Sequence, residues 1–123
     1  MLAVGIGGAA GSLARAAVAV GLPHEAGTWA WSTFVVNATG CFVLAALLVV
    51  LPPRRPYARL LIGTGVLGGY TTFSAFSVDV VQLLDRGRTV MAGAYVVASV
   101  VVMLAAALAG RRAAGSLIGR ATP

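Results

Sequence analysis

The sequence is short of almost everything that covers a soluble surface. It has no lysine, one histidine and three acids (Glu25, Asp79 and Asp85), and charged residues make up 10% of its 123 positions. Ordinary soluble domains carry about 25%. A chain this poor in charge cannot coat itself in polar groups, so its expected solvent is lipid. The single cysteine, Cys41, excludes an intrachain disulfide. It lies in an apolar run, where a small packing residue is the plain reading. No histidine, cysteine or acid cluster has the spacing of a metal site or a catalytic triad, and His24 stands alone in a loop. An enzyme is therefore not expected. No stretch reads as a soluble domain.

What is present is hydrophobic length. Of the residues 59% are hydrophobic, and they gather in four runs over about 2–22, 29–51, 60–84 and 89–110. Each run reaches the roughly 20 residues that cross about 30 Å of hydrocarbon at 1.5 Å per residue. The joints are short: Pro23-His24-Glu25-Ala26-Gly27, Pro52-Pro53-Arg54-Arg55-Pro56 and Asp85-Arg86-Gly87-Arg88. Connections this tight set neighbouring spans antiparallel. Trp29 and Trp31 fall near a span end, where indole rings prefer the interface. The first run does not read as a cleaved signal peptide, because it lacks a basic start and Arg15 interrupts its most apolar part. The expected fold is one all-α integral membrane domain of four transmembrane helices, followed by a basic tail, 111–123, that is expected to fray.

The nine arginines give a net charge of +6. They sit between apolar runs rather than along one face, which argues for membrane orientation and against nucleic acid. Arg54, Arg55, Arg59, Arg111, Arg112 and Arg120 fall on the side of the termini, against Arg86 and Arg88 on the other. Six against two in short loops predicts both termini in the cytoplasm.

Polar residues inside the runs carry the functional expectation. Arg15 lies about two-thirds of the way along the first span, after Gly7, Gly8, Gly11 and Ser12. An ionisable group at that depth usually faces water, a partner or an ion. Thr33, Asn37, Gly40 and Cys41 share one face of the second span, and the Asn37 amide must find partners in hydrocarbon, either a neighbouring helix or an anion. In the third span Gly68, Gly69, Tyr70, Thr71 and Thr72 make a poor helix centre, so the third helix is expected to break there. A break frees carbonyls that can hold a cation. Phe73 and Phe76 follow on one face beside Ser74 and Ser77, and ring edges of positive potential can hold a small anion without trapping it. Asp79 is awkward beside an anion path; it is expected to point away, to pair with an arginine or to lie at the mouth. In the fourth span Tyr95 and Ser99 share a face with Ala92.

Taken together these residues resemble the CrcB/Fluc fluoride channels, small four-helix proteins of bacteria. The resemblance covers all four spans: Gly-Gly-Ala-Ala-Gly-Ser-Leu-Ala-Arg at 7–15, Asn-Ala-Thr-Gly at 37–40, Gly-Gly-Tyr-Thr-Thr-Phe-Ser-Ala-Phe-Ser at 68–77, then Tyr95 and Ser99. It implies passive export of fluoride across the cytoplasmic membrane by an antiparallel dimer with two pores, each lined by both subunits. It further implies that Asn37, Phe73, Phe76 and Ser74 line the fluoride path, and that Tyr95 and Ser99 belong to a polar track on the fourth helix. Arg15 would stand in the vestibule, and the carbonyls of Gly68 and Thr71 would hold a structural Na+ at the dimer centre. The sequence departs from the pattern at Ala16, Ala75 and Met103. Fluoride is small and tightly hydrated, so only close donors and ring edges can replace its water, and weak sites in series let it leave. The loop charges favour one fixed orientation, so the expected antiparallel dimer is either with itself or, as those charges suggest, with an oppositely oriented paralogue. Two other readings stay open: a small dimeric exporter of cationic drugs, which needs an acid in the first span where this chain has Arg15, and a non-transporting membrane assembly subunit.

Overall fold

The computed structural model describes residues 1–121. Among these there is no strand, and the chain is a bundle of helices. Helix α1 spans Leu2–Gly21 and α2 spans Trp31–Val50. The next helical rod, α3, is continuous through Pro56–Ala58, a π-helical stretch Arg59–Leu67, and Gly68–Tyr70. Pro56 starts it at the first helical position, where its missing N–H costs nothing. Helix α4 is Phe73–Asp85 and α5 is Thr89–Ala121.

Leu2–Gly21, Trp31–Val50 and Thr89–Gly119 are each long and apolar enough to cross a membrane. The third hydrophobic run is shared between α3 and α4. The molecule is thus an all-helical, multi-pass membrane protein. Helix α5 runs on past residue 110 as far as Ala121, through the stretch expected to fray; of the expected tail only residues 122–123 lie outside the described ones. Apolar Leu117 and Ile118 in this extension keep helix-favouring composition, and Ala114 is buried.

Bare glycine faces bring α1 against α3. A Cβ on Gly7 would strike the backbone of Leu61, and one on Gly11 the backbone of Val66. Only hydrogen at these positions lets the two rods approach so closely, as small-residue contacts do in membranes. At the far end the α1–α2 and α4–α5 loops meet: Arg88 Nη1 donates to the carbonyl of Gly27 at 2.8 Å. The buried cluster lies near that end. Ala30, Leu83, Ala92 and Tyr95 form its centre, with Trp29, Phe34, Phe76 and Val80 packed on it. Trp29 meets the Tyr95 ring edge-on, with centroids 5.2 Å apart.

Candidate functional site

The helical path stops between α3 and α4. Thr71 has ψ 154°, and Thr72 has φ −148° and ψ 120°, so both are extended. Two unwound residues in an apolar bundle expose peptide groups that must be satisfied. Asn37 on α2 does this for Thr72: its Nδ2 donates to the Thr72 carbonyl at 2.9 Å, and its Oδ1 accepts from the Thr72 N–H at 2.8 Å. The side-chain amide thus pairs with the backbone as another strand would. One of the two Nδ2 hydrogens remains free for a further acceptor. Thr72 also caps α4, its Oγ1 accepting from the Ala75 N–H at 3.1 Å.

The interruption changes the acceptors at the end of α3. In an unbroken α-helix the Thr72 N–H would bond the carbonyl of Gly68; here it is turned to Asn37. The Thr71 N–H and Oγ1 both go to the carbonyl of Leu67, each at 2.9 Å. The Gly68 carbonyl therefore lacks its helical donor, and the extended Thr71 carries its own carbonyl out of the rod. Carbonyl oxygens suit a hard cation. No group of three or more His, Cys, Asp or Glu able to hold a metal occurs among the described residues.

Two cavities flank Thr72. The smaller, about 300 Å³, is lined by Asn37, Gly40, Cys41, Leu44, Thr71, Thr72, Phe73, Phe76, Val100 and Met103. It brings Asn37 together with both phenylalanines, whose ring centroids lie 5.9 Å apart. Phe76 is anchored by stacking on Tyr95 at 5.4 Å, whereas Phe73 turns outward and is 79% exposed. The larger cavity, about 510 Å³, is lined by Arg15, Ser12, His24, Ser32, Thr33, Thr72, Ser74 and Asp79 among others. Arg15 has a buried Nε with no partner. Ser74 belongs to this second cavity, where its hydroxyl shares a hydrogen with Thr72 Oγ1 at 3.1 Å.

The remaining expected residues fall elsewhere. Tyr95 is fully buried and its hydroxyl donates to Asp79 Oδ2 at 3.4 Å; Ser99 is 2% exposed and its hydroxyl has no partner. Neither lines either of these cavities in the single chain. Asp79 finds no arginine. Its Oδ1 lies 3.5 Å from Nε2 of His24, so the histidine that stands alone in the sequence has a partner in space. Thr72 and His24 are the residues that reasoning from the sequence missed. A threonine just before the restart of a helix is a cap signal that could have found the first; nothing local marks the second.

Comparison with known proteins agrees on one family. The profile described as "CrcB-like protein, Camphor Resistance (CrcB)" matches residues 2–111. A protein of Rhizobium meliloti named "Fluoride-specific ion channel FluC" is 44% identical over 114 residues, covering 89% of this chain and 91% of its own length. One of Rhodospirillum centenum with the same name is 45% identical over 114 residues, covering 89% and 90%. One of Nocardia farcinica, "Fluoride-specific ion channel FluC 2", is 37% identical over 124 residues, covering 98% and 89%. Matched over nearly all its length, and at this identity to several curated relatives, the chain belongs to the CrcB-like family.

Proposed function

We propose that the chain is a passive fluoride channel that lets F− leave the bacterial cytoplasm across the cytoplasmic membrane. The observation that carries this reading is the cavity in which Asn37, Phe73 and Phe76 converge: a side-chain amide and two aromatic rings, with no charge among its lining residues. An uncharged set of weak donors strips water from a small anion without holding it. Arg15 in the larger cavity raises the local anion concentration. Thr72 and Ser74 offer hydroxyls between the two chambers. The third helix is a membrane helix broken at its centre, with Tyr95 and Ser99 a polar track behind Phe76.

The pathway belongs to an antiparallel dimer. Phe73 faces outward in the single chain, so a second subunit is needed to close the wall around it. The carbonyls of Gly68 and Thr71 would hold Na+ together with the same groups of that subunit, where the cation neutralises the carbonyl ends of the broken helix. The excess of arginine on one side fixes both termini in the cytoplasm and favours an oppositely oriented paralogue as partner. Relatives in two different Streptomyces species carry the numbers 2 and 1 in their names, "FluC 2" and "FluC 1", so some organisms hold more than one such chain.

The test is fluoride efflux from liposomes, with this chain alone and then with a paralogue. Fluoride is expected to leave and chloride to stay. Phe73→Ile keeps an apolar side chain but removes the ring edge, and should lower the rate by on the order of tenfold, one step of about 1.4 kcal/mol. Chloride passing as freely as fluoride would defeat the assignment.

A further inference from the structure

His24 reaches the larger cavity from the loop between α1 and α2, and both of its ring nitrogens are braced. Nε2 lies 3.5 Å from Asp79 Oδ1, and Nδ1 lies 3.3 Å from Ser32 Oγ. Ser32 is buried, and a hydroxyl can donate or accept. With a neutral ring carrying its proton on Nε2, Ser32 donates to Nδ1 while Nε2 stands within ion-pair distance of Asp79. With a second proton on Nδ1, the ring donates to Ser32, whose hydroxyl turns round to accept, and pairs with Asp79 as a cation. One geometry therefore serves both charge states. The carboxylate is steadied from a third side, because the Tyr95 hydroxyl donates to its Oδ2 at 3.4 Å.

Charged groups approach the loop of this imidazole from several elements, and the α4–α5 loop brings Arg88, which donates to Gly27, and Arg86, which packs on Gly27. Helix α1 contributes Arg15, α4 contributes Asp79 and α5 the Tyr95 hydroxyl; α2 contributes only the neutral Ser32 and Thr33. Glu25, the next residue of the loop, is exposed and lines neither cavity. With neutral His24 the charges of Arg15 and Asp79 cancel across the cavity. With protonated His24 the cavity carries a net positive charge. Histidine is the side chain that ordinarily changes charge between about pH 5 and 8.

We propose that His24 is a positioning residue which sets the charge of the Arg15 cavity through Asp79, so that anion access to the channel rises with falling pH. The inference rests on the fluoride reading and deepens it, adding control of the same site. His24 itself need not touch the ion. Its protonation offsets Asp79 and leaves the Arg15 field uncancelled.

The experiment is fluoride efflux at pH 8 and pH 6, equal on both sides of the liposome. The channel is used in whichever form, alone or paired, carries flux in the efflux assay. Leak through protein-free liposomes is subtracted, since neutral hydrogen fluoride crosses lipid. The wild-type rate should rise on the order of tenfold at pH 6, the low end of what charge focusing in a cleft gives. In His24→Gln the ratio of the two rates should fall to about one, and in His24→Lys the ratio should also be about one, at the higher rate. A wild-type rate that does not change with pH would overturn the proposal, as would a His24→Gln chain that keeps the wild-type profile or is silent at both pH values. Absence of fluoride flux from wild type in every form removes the fluoride reading itself, and this inference with it.

Discussion

At the scale of single residues, Asn37 matters most because its side chain takes the place of a peptide group. It donates to the carbonyl and accepts from the N–H of Thr72 in a buried place, and a lost partner for a buried polar group costs about 1–3 kcal/mol. Asn37→Ala should therefore destabilise the chain by about 2–4 kcal/mol, read as a lower midpoint of unfolding in detergent. Asn37→Asp makes a finer comparison. A carboxylate still accepts from the Thr72 N–H but faces the Thr72 carbonyl with a lone pair, so it should give no stability back relative to alanine and should abolish fluoride flux. Cys41 provides a third handle, since it lines the cavity of Asn37, Phe73 and Phe76. A small thiol-modifying reagent should slow efflux through the wild-type chain, and Cys41→Ser should be insensitive to it. That Asn37 needed a partner was legible from a lone amide among apolar neighbours. That the partner is a backbone group, and not only an ion, was not, because the pairing joins positions that only the fold brings together.

Among the elements, the contact between α1 and α3 is the closest backbone approach that the glycines allow. A Cβ on Gly11 would meet the Val66 backbone, which cannot swing aside as a side chain can. Gly11→Val should cost about 1–3 kcal/mol through overpacking, lowering the midpoint of unfolding while Gly5→Ala, with open space around it, stays near wild type. Glycine spacing in the first span was readable as close contact; of the Gly-Gly-Tyr-Thr-Thr run expected to break the helix, Gly68–Tyr70 stays helical and only Thr71 and Thr72 are extended. The π-helical Arg59–Leu67 was not readable. Its residues carry no proline or other marker, and hydrophobic patterning over nine positions does not separate a period near 3.6 from a wider one. The reach of α5 was missed for a related reason: two adjacent arginines, Arg111 and Arg112, end a hydrophobic run without ending a helix, since arginine favours helix about as well as leucine. Its 33 residues extend about 50 Å at 1.5 Å per residue, longer than the hydrocarbon alone requires. The pairing of His24 with Asp79 likewise joins a loop to a distant helix, and no local pattern announces it.

For the whole molecule, the proposed reading ties orientation to charge and association to exposed surface. Six of the nine arginines fall in segments that four alternating spans would put with the termini, so on the proposed topology a reporter fused to the carboxyl terminus should signal from the cytoplasmic side alone. Equal signal from both sides would show that the chain inserts either way and pairs with itself. Three of the four hydrophobic runs were legible as helices long and apolar enough to cross a membrane, because so little else in the composition could meet water; a partner was not legible, because a lipid-facing and a subunit-facing apolar surface are written in the same residues. Phe73 bears the consequence of that ambiguity. Standing 79% exposed beside a cavity wall, it is at once lining and outer skin. On the proposed reading, a change at this one ring alters both the path and the surface that meets a second subunit, so selectivity and assembly are tied to one side chain.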